Sequence, residues 1–258
     1  GNEVIYVARS DEKVANVRAA LEKSLGRQVD KGRLSEEDRD AVLARVSGVT
    51  DHAGLSDVDI VVEAIVEDLD TKKALFESLD KNCKPGAILA TTTSSLSIDT
   101  LAATTSRPAD VIGMHFFNPA PIMKLVEVVT GKETADDVTA TVLDLCGSTK
   151  KYPVLCSDRA GFIVNFLLFP YLNDAVRAVE ANISTIDQLD AVMKPWQSIP
   201  MGPFALLDVV GNDVSLAIEE VIEGAFGGAE YIPAPLLIET VKAGKLGRKT
   251  GEGFLSYA

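Results

Sequence analysis

The sequence predicts a doubly wound α/β domain followed by an all-α domain. Short apolar runs alternate with helical periods through the first 157 residues. Strands apolar on both faces belong to parallel sheets covered by helices on both sides. After Asp158 the alternation stops, and only helical periods follow, as far as Ala243. The expected domains are residues 1–157 and 158–258.

Each element has its own signal. Val4-Ile5-Tyr6-Val7 is expected as a first buried strand. Ser10-Asp11 caps a helix with Val14, Val17, Leu21 and Leu25 at helical spacing. Arg33 to Val46 predicts a second helix, with Ser35 as cap and Glu36, Glu37 and Asp38 at the positive end of its dipole. Asp59 to Val66 is another buried strand, followed by a helix over Thr71 to Leu79. Pro85-Gly86 turns the chain into a strand at Ala87 to Thr91. Val111 to Phe116 and Leu125 to Val129 are further strands, Thr134 to Cys146 a helix, and Tyr152 to Leu155 a last short strand. From Gly161 to Ala181 runs a long apolar helix that Pro170 is expected to kink.

Composition narrows the function. The 258 residues are 47% hydrophobic and 24% charged, enough for one large domain or two modest ones. No apolar run approaches the ~20 residues of a membrane span, and no signal peptide is visible at Gly1-Asn2-Glu3-Val4, so a cytoplasmic protein without membrane partners is expected. Cys83, Cys146 and Cys156 are odd in number and form no CxxC pair, which fits a reducing compartment. The two histidines, His52 and His115, have no ligand partners at metal-site spacing, so no metal is expected. A net charge of −13 disfavours nucleic acid.

Chemistry concentrates at strand ends, where α/β sheets place their ligands. His115 ends an apolar strand, and Glu127 lies inside the next one. A carboxylate there is costly unless paired, and an imidazole oriented by it is a good general base. The alternative is a structural histidine and a carboxylate bonded to backbone. The hydroxyls of Thr91-Thr92-Thr93-Ser94-Ser95 could bind a substrate oxygen or merely cap the next helix. Asn165 is a polar group in an apolar helix, either a satisfied core amide or a group facing a cleft.

With their surroundings these residues resemble the 3-hydroxyacyl-CoA dehydrogenase family. The matching stretches are Val62-Glu63-Ala64-Ile65-Val66-Glu67, Thr93-Ser94-Ser95-Leu96, His115-Phe116-Phe117-Asn118-Pro119, Gly161-Phe162-Ile163-Val164-Asn165, Pro200-Met201-Gly202-Pro203-Phe204 and Gly247 to Phe254. Their order and spacing span nearly the whole chain. The resemblance implies a Rossmann-like cofactor domain, a helical substrate and dimerisation domain, a homodimer, and hydride transfer between NAD or NADP and C3 of a short-chain (S)-3-hydroxyacyl-CoA. It implies that His115 is the base, Glu127 its partner, Ser94 a contact of the reacting hydroxyl and the nicotinamide side, and Asn165 a substrate-holding amide. Glu67, Lys72 and Asn118 are similar to residues beside the cofactor, and Ser24 and Lys31 to residues that contact CoA. Lys23, Arg27 and Lys31 share helical spacing that would put them on one face.

The chain departs from the family in several places. The visible strands begin at what resembles the family's second strand, and no strand is followed by GxGxxG, so the expectation is an N-terminally truncated unit whose cofactor binding is weak if the chain is complete. Thr92 stands where the family usually has Asn, Phe166 where it often has Arg, and Pro195-Trp196-Gln197-Ser198-Ile199 replaces a glycine-containing stretch. Ala8 stands where NAD-selective members carry an acid, and the adjacent Arg9 and Ser10 suit a 2′-phosphate, so NADP is favoured over NAD. A non-catalytic protein of the same fold and a dehydrogenase of a sugar-acid alcohol are the competing readings.

Overall fold

A computed structural model describes residues 1–197 and 199–257; Ser198, within the divergent stretch before Pro200, and Ala258, the end of the expected second domain, lie outside them. The first half contains β1 (Val4–Val7), α1 (Asp11–Asp30), α2 (Glu36–Ala44), β2 (Val46–Val49), β3 (Ile60–Glu63), α3 (Leu69–Asn82), β4 (Ile88–Thr91), α4 (Ile98–Ala102), β5 (Val111–Phe116), β6 (Leu125–Thr130), α5 (Asp136–Ser148) and β7 (Tyr152–Ser157). The second half contains α6 (Val164–Glu180), α7 (Ile186–Gln197), α8 (Pro203–Val210), α9 (Asn212–Phe226) and α10 (Pro235–Lys242).

The strands form a five-stranded sheet in the order β3-β4-β5-β6-β7 and a separate parallel pair, β1-β2. Alternation of side chains divides the large sheet's apolar residues between two cores. Leu89, Val111 and Val129 pack with Phe76 and Leu79 of α3 and Ile98 and Leu101 of α4. Ile88, Ala90, Ile112, Met114, Val126 and Val128 pack with Val138, Val142 and Cys146 of α5. A third core holds the second half together, through Phe169, Leu172 and Val176 of α6, Phe204 and Leu207 of α8, Ile222 of α9 and Leu237 of α10.

Ser10 and Ser35 cap α1 and α2 as expected, each accepting a backbone N–H three residues on. Four expectations need correction. The second helix ends at Ala44, and Val46 opens β2, a strand hidden by its composition, Val-Ser-Gly-Val, with no continuous apolar run. The first strand is exposed rather than buried, because it pairs only with β2. The large sheet is not wholly parallel: β5 and β6 run antiparallel. Lys31 is the C-cap residue of α1, so it lies just beyond the helical face that carries Lys23 and Arg27.

Two glycine-containing motifs prove structural. Asp190 accepts the N–H groups of Phe204 and Ala205 at 2.8 and 3.0 Å, capping α8, and a Cβ at Gly202 would sit 2.4 Å from its carboxylate. Asp208 accepts the N–H groups of Phe254 and Leu255 at 2.9 and 2.8 Å, anchoring the C-terminal segment where a Cβ at Gly253 would collide with it.

Candidate active site

The antiparallel step creates the site's central pair. His115 and Glu127 are twelve residues apart in sequence, but β5–β6 pairing sets them directly opposite each other. Opposed residues on one face of an antiparallel pair bring their side chains together. His115 Nδ1 lies 2.7 Å from Glu127 Oε2, with both side chains buried. An ionised carboxylate can only accept, so Nδ1 donates to it, and in the neutral ring Nε2 keeps its lone pair. The pair can therefore take up a proton at Nε2 while Glu127 stabilises the resulting imidazolium.

Glu127 has a second set of donors. Its Oε1 accepts the N–H groups of Ile163 and Val164 at 3.0 and 2.8 Å, at the start of α6. These are amides with no partner inside the helix, and the helix dipole favours an anion there. Burial pushes the nearby Cys156 thiol up to about 11, and the charges of Glu127 and Asp158 add to it.

A second cluster lies at the ends of β3 and β4. Burial pushes the Glu67 carboxyl up, but hydrogen bonds from Thr93, Ser94 and Ser95 and the charge of Lys72 outweigh it and hold it below the usual carboxylate range. Ser94 N–H donates to Glu67 at 2.9 Å. Lys72 is 1% exposed, with its ammonium 2.6 Å from Glu63 and 3.3 Å from Glu67. Lys72, which the resemblance sets beside a cofactor, is buried and paired with both Glu63 and Glu67. Nothing in the sequence singles out Glu63 within the Val62–Glu67 stretch, because it ends an apolar run. It also accepts from Thr91 Oγ1 at 2.7 Å and from Ile65 N–H at 2.6 Å.

The start of α6 joins the two clusters. Asn165, 7% exposed, brings its Nδ2 to 3.5 Å from the Ser94 carbonyl, one residue after the amide that holds Glu127. Asn118 is exposed just after β5. Arg9 and Ser10 are exposed at the end of β1, with the Ser10 hydroxyl capping α1. Ser24 and Lys31 are exposed at the far end of α1. No side-chain hydrogen bond among the described residues ties these five to the buried clusters. Nor does any group of acids, histidines and cysteines among the described residues have the arrangement of a metal site.

Comparison with known proteins accounts for both halves of this arrangement. Residues 1–159 match the 3-hydroxyacyl-CoA dehydrogenase NAD binding domain, and residues 161–257 match the C-terminal domain of the same enzymes. The chain is 43% identical to a 3-hydroxybutyryl-CoA dehydrogenase of Clostridioides difficile, over all of this chain and 92% of the relative. It is 40% identical to a Mycobacterium tuberculosis protein of the same name, over all of this chain and 91% of that one. Among solved structures, (S)-3-hydroxybutyryl-CoA dehydrogenase PaaH1 from Ralstonia eutropha superposes with a TM-score of 0.96 at 36% identity, with both chains fully covered. The chain belongs to the 3-hydroxyacyl-CoA dehydrogenase family, a family of NAD-dependent oxidoreductases.

Proposed function

We propose that this protein interconverts a short-chain (S)-3-hydroxyacyl-CoA, such as 3-hydroxybutyryl-CoA, and its 3-oxo form. The observation that carries this reading is the buried His115–Glu127 pair held by the start of α6. In the oxidising direction His115 Nε2 removes the proton of the 3-hydroxyl; in reduction it returns one to the forming alkoxide. Glu127 keeps Nε2 free and compensates the charge the ring gains. Ser94, whose carbonyl meets Asn165 at the end of β4, offers a hydroxyl that donates to the substrate oxygen. Asn165, whose amide is only loosely held by Ser94, contributes a contact to the acyl-CoA. Ser24 and Lys31 meet the CoA.

The polar ends of β3 and β4 fit the nicotinamide half of the cofactor: Glu67, held below the usual carboxylate range and paired with Lys72, is an acceptor for ribose hydroxyls, Ser94 adjoins it, and Asn118 is a further cofactor contact. A bound nicotinamide supplies the acceptor or donor of hydride. A glycine-rich phosphate turn is not among these 258 residues. At the adenosine end, Arg9 is exposed and makes no ion pair among the described residues. A planar, permanently charged guanidinium there, with no acid at Ala8 to repel phosphate, favours NADP(H) over NAD(H).

Residues 1–157 form the cofactor domain in this reading and residues 158–258 the substrate and dimerisation domain. Cores that are distinct apart from Phe162, which packs into the first, and family matches that meet between 159 and 161 support the division. Leu167, Val192, Trp196 and Val209 are exposed on the helices of the second half, a surface suited to a homodimer. No described helix is long and apolar enough to cross a membrane.

The test is a steady-state assay of the whole protein with acetoacetyl-CoA and either NADH or NADPH. Turnover yielding the (S)-alcohol is expected, with the higher kcat/KM for NADPH. Turnover of a free hydroxy acid but no acyl-CoA would replace this reading with that of a sugar-acid alcohol dehydrogenase.

A further inference from the structure

We propose that Phe162 is a positioning residue: the left-handed turn Gly161-Phe162 holds the first amides of α6 on Glu127 and thereby fixes the imidazole of His115. The inference rests on the proposed role of His115 as the base.

Phe162 has φ +46° although it is neither glycine nor a small polar residue. A bulky side chain in this region is a genuine outlier, and such strain persists only where the surroundings over-determine it. Two anchors do so here. The ring is 2% exposed and packs in the core of the large sheet, with Phe76, Ile98 and Val129. The next two backbone amides, of Ile163 and Val164, already belong to the helical half and donate to Glu127 Oε1 at 3.0 and 2.8 Å. The reversed turn lets the ring stay in one core while the amides face the carboxylate at its edge. Gly161 makes the same bend possible: its φ is +75°, and a Cβ there would lie 2.8 Å from the Phe166 amide nitrogen.

The consequence reaches the histidine. One oxygen of Glu127 is held by the two amides, which leaves the other to accept from Nδ1 of His115 at 2.7 Å. The imidazole itself has two ring neighbours, with centroids 4.7 Å away for Phe117 and 5.6 Å away for Phe162. Phe162 thus bounds the base on one side and, through its backbone, aims the carboxylate that sets the base's tautomer. The link crosses from the sheet to the helical half, so the placement of α6 is read out at the base.

The test uses two isomeric side chains. Phe162→Leu and Phe162→Ile carry the same apolar volume, but only Ile is β-branched and strongly resists a positive φ. The probe is the deshielded Nδ1–H proton signal of His115 in NMR spectra of the whole protein, assigned by its loss in His115→Gln. The Leu variant is expected to keep the signal. The Ile variant is expected to lose the signal, with kcat down by about 10²-fold and KM nearly unchanged, as misplacement of a catalytic group predicts. A merely structural ring would move both variants alike, and that result, or an unchanged signal in the Ile variant, overturns the proposal. Should the Ile variant not fold, hydrogen exchange at Ile163 and Val164 decides. Glu127→Gln must speed it at both amides, and unaltered exchange overturns the proposal. If His115→Gln left turnover intact while the Leu–Ile contrast in the signal persisted, the base assignment would fall and the positioning turn would stand.

Discussion

The β1–β2 pair and the five-stranded sheet are built from similar sequence yet end in opposite environments. In β4 all four residues are buried, and in β5 five of six. In β1 three of four are exposed, and neither α1 nor α2 buries a single residue fully. Apolar strands and capped helices are thus sufficient to form elements, but burial depends on what packs against both faces and both edges. The division follows the proposed chemistry. His115, Glu127 and Asn165, the proposed reacting end, lie in the covered region, whereas Arg9 and Ser10, the proposed selectivity residues, lie in the open one.

Hydrogen exchange should display this contrast most strongly. Amides of β4, β5 and β6 should exchange orders of magnitude more slowly than those of β1 and β2, since open, poorly packed segments unfold locally. Equal protection of the two sheets would break the comparison. Mutation should show it next. Phe76, fully buried against the large sheet, should cost about 3–5 kcal/mol as Phe76→Ala in denaturant melts. Val7→Ala should cost less than about 1 kcal/mol, because Val7 is 38% exposed.

These regions were also unequally legible in the sequence. Val111–Phe116 was readable to the residue because a parallel sheet's interior selects continuous apolar runs. β2 was not, since Gly48 and Ser47 interrupt any periodicity, and a Cβ at Gly48 would meet Tyr6 at 2.6 Å. His115 and Glu127 were recognisable as candidates by their place in apolar strands. Their direct opposition was not, because it depends on the antiparallel step between β5 and β6. The roles of Glu63 and the left-handed Phe162, both inside stretches quoted for the resemblance, were not legible for a related reason: they arise from partners distant in sequence.

The helical half sharpens the comparison, since it is well packed yet contains a buried carboxylate without a partner. Glu219 lies against Phe169, Pro170, Ile222 and Tyr231, and neither of its oxygens has a hydrogen-bond partner among the described residues. Burial pushes it up to about 8, with the charge of Arg177 pulling the other way. The folded state therefore holds a proton that the unfolded state has released. Stability is lost as pH rises from the ordinary carboxylate value of 4.5 to about 8 and changes no further above it. Glu219→Gln should remove that part of the pH slope in thermal melts; an unchanged slope would place the proton elsewhere.

The smallest effect belongs to the open end. Arg9→Ala should lower kcat/KM for NADPH by roughly tenfold and leave that for NADH nearly unaltered, as loss of one charge-assisted contact implies. An equal fall for both cofactors would mean that Arg9 does not read the 2′-phosphate.

The account stands most directly on His115→Gln. The substitution keeps a polar side chain of similar size opposite Glu127 but removes the group that takes the proton. Acetoacetyl-CoA reduction by the whole protein should fall by roughly 10²- to 10⁴-fold, with an unchanged circular dichroism spectrum. Turnover within about threefold of the parent would contradict the account, because losing a transition-state contact must cost more than that.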